Sequence, residues 1–216
     1  GASICYTKEN YKEVTSDTFL DFLIEQGVRL VWYFHYMPVG SGAHPDLLLD
    51  PDAREYMIRR IRYLRSDACK KPIMTIDFQN DGQYIGGCIA GGKDYLHINA
   101  AGDVEPCVFI HYSTANIRDV SIKEALAQPL FMAYKDAQPF NDNHFRPCPM
   151  LENPEFLEQM VRETGAKNTS LMEKETATEL CAKCVDYAEK WKPRADVLWE
   201  EFEFAEEDRK IDSLNH

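Results

Sequence analysis

Cysteine is the residue type of this chain whose number and spacing could do chemistry. Five of the seven cysteines lie after residue 80: Cys88, Cys107, Cys148, Cys181 and Cys184. The last two form a CxxC pair on a predicted helix, where thiols three residues apart can point at one ion. The first two bracket a glycine-rich hairpin, and thiolates on separated loops are typical of zinc and iron–sulfur sites. These five residues therefore predict a metal site.

Other interpretations of the thiols and their neighbours stay open. A free cysteine often fills a protein core as a small hydrophobic residue, and we expect that role for Cys5 and Cys69. His97 and His111 flank the hairpin cysteines, and His144 lies in the later cysteine-containing loop, so each histidine is a further possible ligand. No serine nucleophile elbow, phosphate-binding loop or dinucleotide-binding glycine motif is present in the sequence.

Composition narrows the class of protein. The hydrophobic content of 44% and charged content of 28% are those of an ordinary globular protein. A formal net charge of -12 argues against binding to a nucleic-acid backbone. No apolar run reaches the roughly 18 residues of a membrane span, and no signal peptide is evident. With an odd number of cysteines, we expect a cytoplasmic protein whose thiols bind metal rather than form disulfides.

Alternating elements in the first part predict an α/β fold. Residues 2–7 read as a buried strand, residues 18–26 as a helix capped by Ser16 or Asp17, and residues 28–37 as a continuous apolar strand. Strand, helix and strand make one βαβ unit. A second helix at 51–65, capped by Asp50 with Pro51 in its first turn, and a strand at 72–78 follow.

A shift in composition toward glycine and asparagine at residues 80–92 predicts a boundary between two modules, 1–79 and 80–216. After it we expect a hairpin with strands at 95–99 and 104–110, the second carrying Cys107.

Helices and loops are predicted beyond the hairpin. Ser121 and Glu124 form a capping box that opens a short helix. Residues 138–150 read as a loop and 154–164 as a helix. The segment from about Glu173 to Asp208 is predicted to be helical, and broken or kinked near Pro193.

The hairpin motif resembles a known family. Cys88, thirteen residues, Gly102, four residues and Cys107 resemble the opening of the SPASM and twitch auxiliary-cluster modules of radical SAM enzymes. One branch of that superfamily has segments similar to three in this chain: GGCIAGGKDYLHINAAGDVEPCVFIHY, the later Asn116-Ile117, and Arg146-Pro-Cys-Pro149. Upstream, residues 34–40 resemble the end of the last strand of the radical SAM partial (β/α)6 barrel. The resemblance thus implies the last βα units of that barrel, followed by a hairpin-plus-helices module.

Two motifs of that superfamily are missing from the sequence. The CxxxCxxC motif that binds the catalytic cluster does not occur, nor does the glycine-rich motif for S-adenosylmethionine. The resemblance therefore implies the C-terminal portion of a radical SAM enzyme, with its N-terminal half as the missing partner. Such a portion would be unable to cleave S-adenosylmethionine alone, which would bind only in the full-length parent. The opening of the chain directly within a predicted core strand agrees with this expectation.

The resemblance also implies a ligand set. Cys88, Cys107 and Cys148 are the first candidates to hold one auxiliary [4Fe-4S] cluster. The fourth ligand is Cys181, Cys184, a non-cysteine group such as a histidine, or an open position. The later CxxC-x5-C-x3-C run of full SPASM modules is absent, so one cluster is expected, as in twitch modules.

Function and substrate follow from the resemblance only in outline. The cluster would transfer electrons or bind substrate, which in the family is a peptide or a small molecule, and no catalytic residue is assigned. The alternative is a non-catalytic module, structural or interacting with a partner, in which the same thiols hold an iron–sulfur cluster or zinc.

Overall fold

Three parallel strands form the first layer of the fold. A computed structural model describes residues 1–172 and 174–214, with side-chain surroundings described as far as residue 202. The strands are β1 (Ala2–Tyr6), β2 (Leu30–His35) and β3 (Met74–Asp77), hydrogen-bonded in the order β1-β2-β3. Between them lie the helices α1 (Tyr11–Val14), α2 (Asp17–Glu25) and α3 (Pro51–Arg65). The predicted βαβ unit is confirmed, although β2 and β3 are shorter than predicted.

Local caps explain where the two long helices of this part begin. The Ser16 side chain accepts a hydrogen bond from the Phe19 N–H at the start of α2. The Asp50 carboxylate accepts one from the Ala53 N–H at the start of α3. These bonds satisfy backbone donors that have no partner within the helix. The predicted Asp50 cap is confirmed, and of the two predicted candidates for α2, Ser16 and Asp17, Ser16 forms the cap.

Helices cover only one face of the parallel sheet. Val31 and Tyr33 point toward the helices and are fully buried in a core shared with α2 and α3. On the opposite face Trp32 remains 42% exposed and Met74 61% exposed. Parallel sheets normally have both faces covered. The second face of this sheet is therefore an apolar surface that the described residues leave open.

Cys5 lies on that open face. It pairs in register with Phe34 and is exposed, whereas the next residue, Tyr6, is fully buried on the helix side. The prediction that Cys5 fills a core is wrong, because strand alternation places it opposite Tyr6. Cys69 is partly buried against the first core, as expected.

Asp77, at the end of β3, is a buried carboxyl group. Its oxygens accept hydrogen bonds from the Tyr6 hydroxyl at 2.9 Å and from the Asn80 amide at 2.8 Å. Burial raises the pKa of Asp77 to about 6. The native state therefore holds this proton more tightly than the unfolded chain does.

Asp77→Asn is expected to flatten the pH dependence of stability. The contribution of Asp77 is fully present below its ordinary pKa near 4 and is lost as pH rises through about 6. Urea unfolding of wild type and variant at intervals from pH 4 to pH 8 tests this. The wild type should lose free energy of unfolding relative to the variant across that window, and parallel curves would contradict the assignment.

The second part of the chain combines short strands with helices. Its elements are α4 (Gly82–Ile85), β4 (His97–Ile98), β5 (Val104–Glu105), β6 (Tyr112–Ser113), α5 (Ile122–Ala125), α6 (Pro129–Ala137), α7 (Pro154–Thr164), β7 (Lys167–Asn168) and α8 (Ala177–Leu214). Strands β4 and β5 pair antiparallel, as do β6 and β7. The mixture of helices and a parallel sheet agrees with the predicted α/β class.

Several predicted elements of this part are confirmed. The capping box of α5 is formed by Ser121 and Glu124, and α7 has the predicted bounds. Helix α6 was not predicted. The predicted break in the C-terminal helix is absent, because α8 continues through Pro193. Glu173 and the side chains beyond residue 202 lie outside the described residues.

The second strand of the hairpin is shorter than predicted and does not include Cys107. Strand β5 ends at Glu105, and Cys107 lies beyond it in a tight turn closed by the Ile110 N–H donating to the Cys107 carbonyl. The predicted strand at 104–110 is therefore wrong. The reason is Pro106, which has no N–H to donate to the ladder.

One core joins α6, α7 and α8 to the hairpin. Cys107, Cys181 and Cys184 are buried in it, and Cys88 and Cys148 pack against it. Side chains from the first part, Met37, Leu48 and Ile58, contribute to the same core. Among the helices that the structure describes, α8 included, none is both long and apolar enough to cross a membrane.

Candidate metal centre

Three of the predicted ligands line one cavity. Cys88 follows α4, Cys107 follows β5, and Cys148 lies in the loop between α6 and α7. The cavity has a volume of about 50 Å³. Its other walls are mainly apolar and include Met37, Phe78, Ile85, Phe109, Ile110 and Pro147. Three separate loops thus place their thiols around one cavity with mainly apolar walls.

The cavity lies beside the carboxyl ends of two parallel strands. Met37 comes just after β2, and Phe78 and Gln79 come directly after β3. Ligand sites of α/β sheets are commonly found at this edge. The first part of the chain therefore contributes part of the wall of a site whose thiols all come from the second part.

Backbone donors surround the thiols of the hairpin. Burial raises the pKa of Cys88 to about 11 and that of Cys107 to about 12. Backbone N–H groups oppose this effect by hydrogen bonding to the sulfur atoms, from Ala90 to Cys88 and from Phe109 and Val108 to Cys107. Hydrogen bonds of this kind favour the thiolate over the thiol, and the thiolate is the form that binds metal.

Backbone N–H donors also surround the Cys148 thiol. Its Sγ accepts hydrogen bonds from the N–H groups of Met150 and Leu151, both at 3.4 Å. The Cys148 N–H itself donates to Glu152 Oε2 at 2.8 Å, which fixes the loop. Burial raises the pKa of Cys148 well above its usual value. Each of the three cavity thiols therefore combines burial with nearby backbone donors.

The CxxC pair lies in the same core but outside the cavity. Cys181 and Cys184 are buried near the start of α8, and burial raises the pKa of each to about 12. The Cys184 thiol donates to the Leu180 carbonyl of its own helix at 3.9 Å. Cys181 instead faces a neighbouring space that Arg146 and Glu158 also line. The structure therefore brings three of the five predicted ligands to one cavity and leaves two beside it.

A single metal ion has no ready site. Within residues 1–172 and 174–214, no three histidine, cysteine, aspartate or glutamate side chains are grouped so that they could hold one ion. The cavity thiols of the described residues therefore form no ready site for one zinc ion, whose thiolate ligands all lie at about 2.3 Å from the metal. A [4Fe-4S] cluster binds each thiolate through a different iron atom, so three thiols from separate loops around one apolar cavity fit such a cluster.

The candidate histidines have other roles. His97 Nδ1 and His111 Nδ1 both lie against Glu105 Oε2, at 2.7 and 3.1 Å. Burial acts to raise the pKa of Glu105, but hydrogen bonds from His111, Thr169 and His97 hold it below its usual value. His144 packs its ring against Trp199. None of the three histidines lines the cavity.

A buried arginine supports the Cys148 loop. Arg54 of α3 is 1% exposed and donates to Glu152 Oε1 at 2.6 Å, while the other oxygen of Glu152 holds the Cys148 N–H. Arg54 also donates to the Tyr187 hydroxyl of α8 and to Asn80 after β3. Arg54 was not among the residues predicted to support the site. The available signal was its position three and four residues before the buried Met57 and Ile58, on the buried face of α3.

Comparison with protein families agrees with the thiol geometry. The family model SPASM, described as an iron–sulfur cluster-binding domain, matches residues 88–185. Residues 88–185 form a SPASM domain. The match begins at Cys88 and includes all five predicted ligands, and it implies that this segment binds an iron–sulfur cluster. Comparisons with curated proteins and with solved structures gave no match.

Gly91 keeps the SPASM domain closely packed behind the thiols. Its φ is +70°, and a Cβ added there would lie 2.5 Å from the Cβ of Tyr134. Gly165, at the end of α7, has a similar φ of +66° but no atom within 4 Å of an added Cβ. The two positions thus share the backbone requirement for glycine and differ only in the space beside it.

Gly91→Ala is expected to destabilise the protein more than Gly165→Ala does. Both variants lose roughly 1–2 kcal/mol from a left-handed backbone. Gly91→Ala adds an overpacking cost of about 1–3 kcal/mol, because the Tyr134 ring must move. Urea unfolding of the two variants measures the difference. Equal losses in the free energy of unfolding would show that α6 can move away from residue 91 at little cost.

Proposed function

We propose that the chain is the auxiliary-cluster portion of a radical SAM enzyme and binds one [4Fe-4S] cluster. The observation that carries the proposal is the convergence of Cys88, Cys107 and Cys148, from three loops, on one apolar cavity at the carboxyl edge of the parallel sheet. A cluster bound there would supply one-electron redox chemistry. The match of this segment to the SPASM family supports the same function.

The chain's own residues would hold that cluster and exclude water. Cys88, Cys107 and Cys148 supply thiolates, and the surrounding backbone N–H groups stabilise their negative charge. The apolar wall, with Met37 and Phe78, keeps solvent from the sulfur atoms. Hydrogen bonds to sulfur and burial are the features by which a protein sets the potential of such a group.

Cys181 is the fourth ligand that we propose. The Cys184 thiol already donates to a carbonyl of its own helix, as an ordinary helical thiol does. Cys181 lines a space that Glu152 also lines, and Glu152 holds the Cys148 loop through the Cys148 N–H. This shared neighbour is the reason that we assign Cys181 rather than Cys184.

The two thiols of the CxxC pair should behave differently on substitution. Cys181→Ala is expected to lower the iron bound per chain after anaerobic reconstitution, because one iron loses its protein ligand. Cys184→Ala is the matched control and should keep the full complement. Iron analysis and EPR of both variants measure this. Loss of iron only in Cys184→Ala would reverse the assignment, and full retention in both would make the pair structural.

The open sheet face supports a partner that supplies the rest of the barrel. Trp32, Phe34 and Phe78 form a row of contacting rings on that face, and Phe78 continues into the cavity wall. Strand β1 has a free edge within the described residues. We propose that a radical SAM half covers this face, binds S-adenosylmethionine, and leaves a peptide or small-molecule substrate between it and the cavity.

Reconstitution without oxygen, followed by two assays, tests this function. The reduced chain should give the EPR signal of a reduced cluster, and the same preparation with S-adenosylmethionine and dithionite should form no 5′-deoxyadenosine. A preparation that takes up zinc but never iron would refute the cluster. Cleavage of S-adenosylmethionine by this chain alone would refute the need for a partner half.

A further inference from the structure

Tyr134 of α6 has a buried hydroxyl group with nothing to bind. The residue is 0% exposed, and its OH has no hydrogen-bond partner within the described part of the chain. A buried hydroxyl without a partner carries a substantial desolvation penalty, so native proteins rarely keep one. Its presence indicates that a hydrogen-bond acceptor belongs in this space.

Tyr134 lies in the same core as the four proposed ligands: Cys107 and Cys181 are buried in that core, and Cys88 and Cys148 pack against it. Burial raises the pKa of Tyr134 well above its usual value. The nearby thiols of Cys88, Cys148, Cys107 and Cys181 raise that pKa further. The buried carboxylate of Glu152 is already engaged, since it accepts hydrogen bonds from Arg54 and from the Cys148 N–H. The acceptor that this hydroxyl lacks therefore falls among the proposed ligands.

Close packing holds the Tyr134 ring on at least two sides. Gly91 lies so close to the ring that an added Cβ would be 2.6 Å from Tyr134 Cδ1. On another side Phe140 meets the ring edge-on, with ring centroids 5.3 Å apart. A rotation that carried the hydroxyl to solvent would have to displace these neighbours.

We propose that the Tyr134 hydroxyl donates a hydrogen bond to a sulfur of the iron–sulfur centre and raises its reduction potential. The proposal rests on the proposed function, since it requires the cluster. A donor to sulfur stabilises the reduced state, which carries one more negative charge, over the oxidised state. Tyr134 is thus a positioning and tuning residue, while the thiolates hold the iron.

Tyr134→Phe tests this through the stability of the metal-free protein and the reduction potential of the reconstituted protein. It removes one oxygen atom and leaves the ring in place. In the metal-free protein it should leave the urea midpoint unchanged or raise it, because the unpaired hydroxyl is gone. In the reconstituted protein it should shift the cluster's midpoint potential to a more negative value in an EPR-monitored redox titration.

Tyr33→Phe is the matched control. Tyr33 is equally buried, but its hydroxyl already donates to the Val14 carbonyl at 2.7 Å, and it lies in the first core, which contains none of the five predicted ligands. That variant should lower the urea midpoint in both forms and leave the potential unchanged.

The outcomes separate the two proposals. A wild-type chain that binds no iron refutes the proposed function and this inference with it. A wild-type chain with a cluster whose potential is the same in Tyr134→Phe refutes the inference alone. So does a Tyr134→Phe variant that destabilises the metal-free protein as much as Tyr33→Phe does, because the hydroxyl would then have an ordinary protein partner.

Discussion

Replacing Cys107 with serine is expected to leave the chain without a stable iron–sulfur centre. Cys107 is buried in the tight turn after β5 and lines the cavity with Cys88 and Cys148. Serine keeps the size of the side chain but supplies a weak, hard ligand in place of a soft thiolate. Changes merely beside metal ligands lower affinity by about 10–100-fold, so loss of the ligand itself should lower iron retention at least tenfold.

The control for this prediction is a cysteine outside the site. Cys5→Ser changes an exposed thiol on the open sheet face and should leave iron binding unaltered. Iron and acid-labile sulfide per chain are measured after anaerobic reconstitution and gel filtration. Circular dichroism of the metal-free variants checks that both are folded. Equal retention in Cys107→Ser and wild type would remove Cys107 from the ligand set.

Arg54→Met is expected to cost the protein about 3–5 kcal/mol of stability. The substitution leaves Glu152 fully buried without its cation. It also removes the hydrogen bonds of the guanidinium to Tyr187, Asn80 and the Phe145 carbonyl. Because Glu152 also holds the Cys148 N–H, cluster retention should fall together with the urea midpoint.

Two further variants distinguish a buried charge from ordinary packing. Arg59 of the same helix is 44% exposed in its side chain and pairs with Glu55 and Glu201, so Arg59→Met should cost less than about 1 kcal/mol. Combining Arg54→Met with Glu152→Gln should recover part of the loss, since the amide keeps an acceptor for the Cys148 N–H and removes the charge. Similar losses in Arg54→Met and Arg59→Met would contradict the account.

Features that depend on neighbouring residues could be predicted from the sequence. Helices α3 and α7 begin and end where their caps and prolines indicate, because these signals act within one turn. The central strand β2 was predicted to be parallel from its continuous apolar run. Helix α6 was missed although Pro129 opens it and Leu130 and Tyr134 share its buried face.

Features that depend on distant residues could not be predicted in this way. The role of Arg54 requires Glu152, 98 positions later, to approach it. The exposure of Cys5 depends on which face of its strand meets the core, and a short apolar segment does not show which face that is. The residue pattern alone grouped five thiols, and the family resemblance put Cys88, Cys107 and Cys148 first; the structure places these three on one cavity and the pair on α8 beside it.

The number of iron atoms and labile sulfides bound per chain tests the central claim most directly. The claim is that Cys88, Cys107 and Cys148 supply the main ligands of one iron–sulfur cluster. After anaerobic reconstitution, the account predicts about four of each per chain for a [4Fe-4S] centre, and almost none when these three cysteines are replaced together by serine. A wild-type chain that binds one zinc ion and no sulfide would contradict it, as would a triple variant that retains the iron.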